Sequence, residues 1–426
     1  MTDRRCTIVT QAVEFAAEVL TVGCILPCLL WPYLLFSPNV GHVPLSLLLR
    51  ATVNRPGIAY IALVVGLLAT VAVYATKGEA AGALSLVGLF FAACTAVWYS
   101  YDSAMILPWL AFILCLAVTG EARLIIAAFL YTMLIANVTV GAIAYVMHYH
   151  QFSAEVVGVR ASGLSGSPLL FSPLCMLTIF GSAALILSTT KQWVRFTALV
   201  VVLLSGVMQV LTFTRAGWIA TAIAIAAGVG YPRKSARLWM LTLSVVVILG
   251  AFMVRADGRI SKIAHERSIT GRTKIWALAG RAVIQHPIEG LNQTEQRTLQ
   301  RRTTILLTAQ GYKDIPLSAK CTYLDFAIDF GIPALLLMVL SFAAIAWRCL
   351  QALKVSSLHY THKMIILWCV LAIIGLGLES LVEDTLFFHG NTLPVTVALL
   401  TLLGLAGGIA FAPALDTAGP ASPTND

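Results

Sequence analysis

The chain has 426 residues, of which 59% are hydrophobic and 11% charged, and its mean hydropathy is +0.88. That composition excludes a soluble globule, in which charged residues make up about a quarter of the chain. The net charge of +9 suits anionic lipids or a phosphorylated substrate. It does not point to nucleic acid, because the basic residues form no separate soluble module.

Arg4 and Arg5 precede an apolar run with no small-residue cleavage site before Trp31. This reads as a retained first span, not a removed signal peptide. Further runs of about 18 or more apolar residues recur to the end of the chain, each long enough to cross a ~30 Å hydrocarbon core as a helix. Alternating ten-residue segments, the mark of a membrane barrel, are absent. The fold class is all-α: a polytopic helical membrane protein with about twelve transmembrane helices. They are expected at 15–36, 57–76, 80–98, 104–119, 122–147, 168–188, 194–214, 216–231, 237–254, 323–347, 364–381 and 392–412.

This gives nine helices in 1–254, a large basic loop over 255–322, three helices in 323–413 and a polar, disordered tail at 414–426. Arg4/Arg5, Lys77, Arg123, Lys191/Arg195, Arg233/Lys234/Arg237 and Arg348/Lys354/Lys363 fall on one face. Excess Lys and Arg mark the cytoplasm, so both termini are placed inside and the loop outside. Most of the nine cysteines lie within apolar spans, and no Cys/His spacing suggests a metal or a disulfide framework.

Between Arg255 and Lys320 the chain carries twelve basic residues against five acids. Long loops translocate despite such charge. Two readings stand for the cations: contact with lipid headgroups, or a phosphate-bearing ligand. Within the loop, Thr273–Gln285 has helical spacing, with Ile275, Trp276, Ala279 and Val283 on one side. It reads as an amphipathic helix lying in the membrane interface, with Trp276 as headgroup-level anchor. His286-Pro287 ends it, since the residue before a proline avoids the helical region.

Three arginines stand apart from the rest. Arg215, in LTFTRAGWIATAIAIAAG, lies between two apolar runs with no acid nearby in sequence. A cation at membrane depth either faces a cavity or partner, or snorkels to headgroups. Arg160 lies in the Gly/Ser-rich RASGLSGSP, where the backbone could approach an anion closely or simply flex. Arg272, in SITGRTKIW, opens the loop helix, where a cation opposes the helix dipole. Glu379, Glu383 and Asp384 flank the external end of a span. They could pair with loop arginines or bind sugar hydroxyls, with structural pairing the simpler reading.

The order of these features carries more than any one of them. R-x-S-G before a span, T-x-T-R-x-x-W between two spans, T-G-R-x-x-x-W opening a long loop, H-P-x-x-G within it and T-Y-L-x(6)-G closing it follow one another. The sequence here resembles the O-antigen ligase and Wzy-type polymerase family of bacterial inner-membrane glycosyltransferases, over roughly residues 155–395. The resemblance implies glycan transfer at the periplasmic face, from an undecaprenyl-pyrophosphate-linked donor to a sugar hydroxyl. The acceptor is another glycan in a polymerase and the lipid A-core in a ligase of lipopolysaccharide biosynthesis. It implies no cofactor and no metal. The family's arginines map onto Arg215, Arg272 and Arg160, which would grip the pyrophosphate as charge builds on it. Trp276 and Tyr323 fall beside them as further substrate contacts.

One departure matters. Ligase-type members close the loop with a histidine that activates the acceptor hydroxyl, and this chain has Lys320-Cys321-Thr322-Tyr323 there. Lys320 is left as a base, if its pKa is lowered, or as a phosphate ligand. His265 and His286 are the alternative bases. A lipid-linked glycan transporter is the competing class. Transporters, however, show related halves and broken helices at midplane, whereas here one large loop dominates and the halves do not match.

Overall fold

The computed structural model describes residues 22–23, 25–26, 56–98, 106–147, 161, 163, 167–212, 214–228, 269–291, 295, 298, 301, 321–355, 358–383, 386 and 393–412. Nearly all of the expected span 15–36, the span 237–254, most of the basic loop and the tail lie outside them. The described chain is helical: α1 (Pro56–Lys77), α2 (Glu79–Trp98), α3 (Leu107–Ala117), α4 (Ala122–Val146), α5 (Pro168–Ser188), α6 (Gln192–Leu211), α7 (Arg215–Gly228), α8 (Ile269–Gln285), α9 (Thr322–Leu353), α10 (Tyr360–Glu379) and α11 (Leu393–Ala410). Each of the ten expected spans within this range coincides with a helix.

Eight of these helices are long and apolar enough to cross a membrane; α3 and the described part of α7 are apolar but shorter. With 11 residues, α3 is about 17 Å long and falls short of the hydrocarbon core. Within the expected span at 104–119, the described helix takes up Leu107–Ala117. The long helices leave Tyr60, Ile61, Leu68, Phe196 and Leu340 exposed. On a soluble protein such surfaces would be sticky, but on helices, whose backbone groups bond largely within the segment, they suit hydrocarbon.

The chain divides into two compact units. The first comprises Met1–Ala136, Ala344–Val370 and Val397–Asp426. Here α1 and α2 turn at Gly78, which has φ +83°, and Thr70 and Ser85 share a buried hydroxyl–hydroxyl bond of 2.9 Å across the hairpin. The α3 helix stacks Trp109 on Phe91 at 4.8 Å. Gly404 and Gly408 of α11 lie against its backbone at Phe112 and Leu116, the close approach that glycines four apart permit. The Arg123 guanidinium is buried and donates to the carbonyls of Val118 (2.8 Å) and Gly408 (3.0 Å).

The second unit, Asn137–Ala343 with Leu371–Thr396, contains the residues singled out in the sequence. Its α5 helix is buried along nearly its whole length. Within it α8 departs from expectation. It begins earlier, at Ile269, and its apolar face does not lie on lipid. Ile275, Ala279, Ala282 and Val283 pack with Leu291 of the following turn and Ala327 and Ile328 of α9, with Trp276 and Leu324 half-buried beside them. The apolar stripe reads correctly, but its partner is another helix.

Candidate functional site

Arg215 is positioned by a polar clasp. Near the end of α6, the Gln209 amide donates to the Gly217 carbonyl (3.2 Å) and to Thr221 Oγ1 (2.7 Å) of α7. The Gln209 backbone carbonyl accepts from the Trp218 indole N–H at 2.9 Å and from the Thr212 hydroxyl at 2.7 Å. Thr212 Oγ1 in turn accepts the Thr214 backbone N–H at 3.3 Å. In a low-dielectric interior a satisfied network of this kind fixes one geometry. The polar residues of TFTRAGWIAT thus build the junction, while the guanidinium it carries points elsewhere. Arg215 is the first residue of α7, its side chain is exposed, and it forms no ion pair among the described residues. A cation there opposes the helix dipole, so helix stability does not account for it.

The RASG segment is tied to the same junction. The Ala161 N–H donates to the Leu211 carbonyl at 2.9 Å, four residues ahead of Arg215. Gly163 has φ +55° and lies on the Phe171 ring of α5, where any side chain would collide. Arg160 itself lies outside the described residues, as do His265 and Lys320.

The H-P-x-x-G and T-Y-L-x(6)-G motifs meet each other. Gly331 (φ 82°, ψ 168°) breaks α9, which opens the helical rung from the Ile332 N–H to the Ile328 carbonyl. The turn after α8 fills both halves of it: the Leu291 N–H donates to Ile328 O at 2.6 Å, and Ile332 donates to Pro287 O at 2.8 Å. Gly290 (φ +71°) lies against Asp329, where an added Cβ would sit 2.7 Å from the carbonyl oxygen. This splice holds α8, with Arg272 in its first turn, on α9. His286 belongs to the turn. Its Nδ1 lies 3.5 Å from Glu289 Oε1, with side chains 32% and 79% exposed.

The start of α9 is tied to the end of α10. The Thr322 N–H donates to Ser380 O (3.0 Å) and its hydroxyl to Glu383 O (3.2 Å). The Tyr323 hydroxyl, expected to meet substrate, donates to Gly377 O at 2.9 Å. Glu379 closes the corner. Its carboxyl is fully buried, and Oε1 accepts the Ser172 hydroxyl of α5 at 3.2 Å. Oε2 has no hydrogen-bond partner among the described residues. Gly217 lies directly over the pair, and a Cβ there would collide with Ser172 Oγ and sit 2.9 Å from Glu379 Oε1. The starts of α5, α7 and α9 and the ends of α6 and α10 therefore gather at one end of this unit. In the sequence Glu379 reads as an arginine partner or a binder of sugar hydroxyls, with pairing the simpler reading, and not as a base. The sign available was a carboxyl closing a 15-residue run without charge, 364–378.

The arginine junction, the glycine splice and the start of α9 all fall in one segment, residues 199–339, which matches a family model described as O-antigen ligase. No curated protein matches the chain. The matched segment takes in Arg215, Arg272, Trp276, His286, Lys320 and Tyr323. It stops short of Arg160 and Ser172 on one side and Glu379 on the other. The latter two nonetheless pack against the segment at Gly217.

Proposed function

We propose that this membrane protein transfers a glycan from an undecaprenyl-pyrophosphate donor to a sugar hydroxyl at the periplasmic face of the inner membrane, as a surface-polysaccharide polymerase. The observation that supports it is Arg215. A guanidinium without an ion-pair partner among the described residues stands on a braced helix start inside the segment that matches the O-antigen ligase model. The α7 N-terminus and the guanidinium both favour an anion. As the glycosidic bond breaks, negative charge builds on the departing pyrophosphate, and fixed donors neutralise it without reorganising. Arg272 and Arg160 supply the remaining cations in this reading, and Trp276 lines the approach.

The polymerase assignment rests on Lys320-Cys321-Thr322-Tyr323, which stands where ligases carry histidine. Ligation of a finished glycan to a lipid A-core is the second reading, and the family description favours it. A strain deleted for the gene separates the two. Loss of a polymerase leaves single repeats on the lipid carrier, while loss of a ligase leaves long lipid-linked polymer. Purified protein that moves lipid-linked glycan without forming new glycosidic bonds would overturn both in favour of transport.

A further inference from the structure

We infer that the Glu379 carboxyl, oriented by Ser172 beneath the helix start that presents Arg215, takes the proton from the incoming sugar hydroxyl. The inference rests on the transfer reaction proposed above.

Position comes first. Glu379 is the last residue of α10, at the end of the unit where α7 begins with Arg215. Its carboxyl lies against Gly217, two residues after Arg215, and the missing Cβ of that glycine leaves room for the carboxyl and its serine. A side chain at 217 would displace one or the other.

Satisfaction of hydrogen bonds comes second. Ser172 holds Oε1, while Oε2, equally buried, has no partner among the described residues. Interiors rarely leave such an oxygen without a donor, because the lost hydration is not recovered. Thr214, one residue before Arg215, also keeps a buried hydroxyl without a partner among the described residues. An acceptor oxygen and a hydroxyl, each awaiting a bond and both next to α7, suit a ligand that carries hydroxyl groups. Among the histidines that compete for the role, His286 turns toward Glu289 in a half-exposed turn.

In the step itself, the acceptor O–H proton passes to Glu379 Oε2 while the hydroxyl oxygen forms its bond to the anomeric carbon. The bond from that carbon to the pyrophosphate oxygen breaks, and its electron pair stays on the pyrophosphate beside Arg215. Glu379 then releases its proton to water. Ser172 acts through Glu379 and is a positioning residue.

The test uses the full chain in nanodiscs. The substrate probe is lipid-linked oligosaccharide extracted from a strain lacking the gene, and the binding probe is radiolabelled undecaprenyl pyrophosphate. Glu379→Gln keeps the volume and an oxygen for Ser172 but removes the basicity. Expected are a turnover about 100-fold lower, with binding and thermal midpoint close to wild type. Glu379→Asp should retain more turnover than Glu379→Gln. Product from wild type together with a Glu379→Gln variant of near-normal turnover overturns the inference and leaves the transfer reading standing. So does loss of folding or binding in both variants, which marks the carboxyl as structural. No product from wild type sinks the transfer reading itself.

Discussion

Leu291 donates its backbone N–H to the Ile328 carbonyl at 2.6 Å, taking the place that Ile332 would hold in an unbroken helix. The rung that the break at Gly331 opens between Ile332 and Ile328 is therefore completed by the turn after α8. Gly331 has φ 82° and ψ 168°, a region in which essentially only glycine is stable. A Cβ there would also run into the Ile288 carbonyl. Gly331→Ala is expected to cost about 1–3 kcal/mol from conformation alone, with the clash in addition. Gly78 is the control: its φ is +83° with nothing within 4 Å of an added Cβ, so Gly78→Ala should cost only about 1–2 kcal/mol. Thermal unfolding in detergent measures both, and equal losses would contradict the splice.

Arg215 stands on a hairpin whose bonds do not involve its guanidinium. Arg215→Ala should therefore leave folding and insertion intact while lowering glycan transfer on the order of 10²–10³-fold. Arg215→Lys keeps the charge but not the two-pronged grip, and should recover little of the activity. Trp218→Phe removes the donor to Gln209 O and should cost about 1 kcal/mol of stability, with a partial loss of transfer as the helix start loosens. Normal product from Arg215→Ala would remove the phosphate-binding role.

Much of this was legible in the sequence because a lipid-facing helix leaves a plain record. An apolar run has to be long enough, so most spans and the helix stop at His286-Pro287 fall where hydropathy and proline place them. Partners leave no such record. The stripe Ile275, Ala279, Val283 looks the same whether it meets lipid or a helix, and only the fold shows that it meets Ala327 and Ile328. Glu379 does not stand out in the sequence for a related reason. Ser172 and Gly217, which cradle it, are far away in sequence, and neither residue type announces a site.

His286 sits in the splice turn with its ring toward Glu289. A histidine held there serves the turn, so His286→Ala should keep most of the transfer activity, within about threefold, and cost less than 1 kcal/mol, as exposed pairs do. Lys320→Ala makes a contrasting case. If the base is Glu379, Lys320 is left as a phosphate ligand, and turnover and undecaprenyl pyrophosphate binding should fall together. Loss of turnover with binding retained would return the base to Lys320.

Adjacent residues of α8 separate a helix packed on protein from one laid on lipid. Val283 is buried in the cluster with Ala327 and Ile328, whereas Ile284 is 76% exposed. Val283→Asp forces a carboxylate into an apolar contact with no partner for it. It should destabilise the unit by about 3 kcal/mol or more and abolish transfer, because α8 also carries Arg272. Ile284→Asp should leave stability nearly unchanged if that face meets water. If the face meets the headgroup region, Ile284→Asp should weaken association with liposomes of anionic lipid but not the thermal midpoint in detergent. Equal loss of stability from both substitutions would mean that α8 is covered on the side where it stands open, and the packing of α8 described above would need revision.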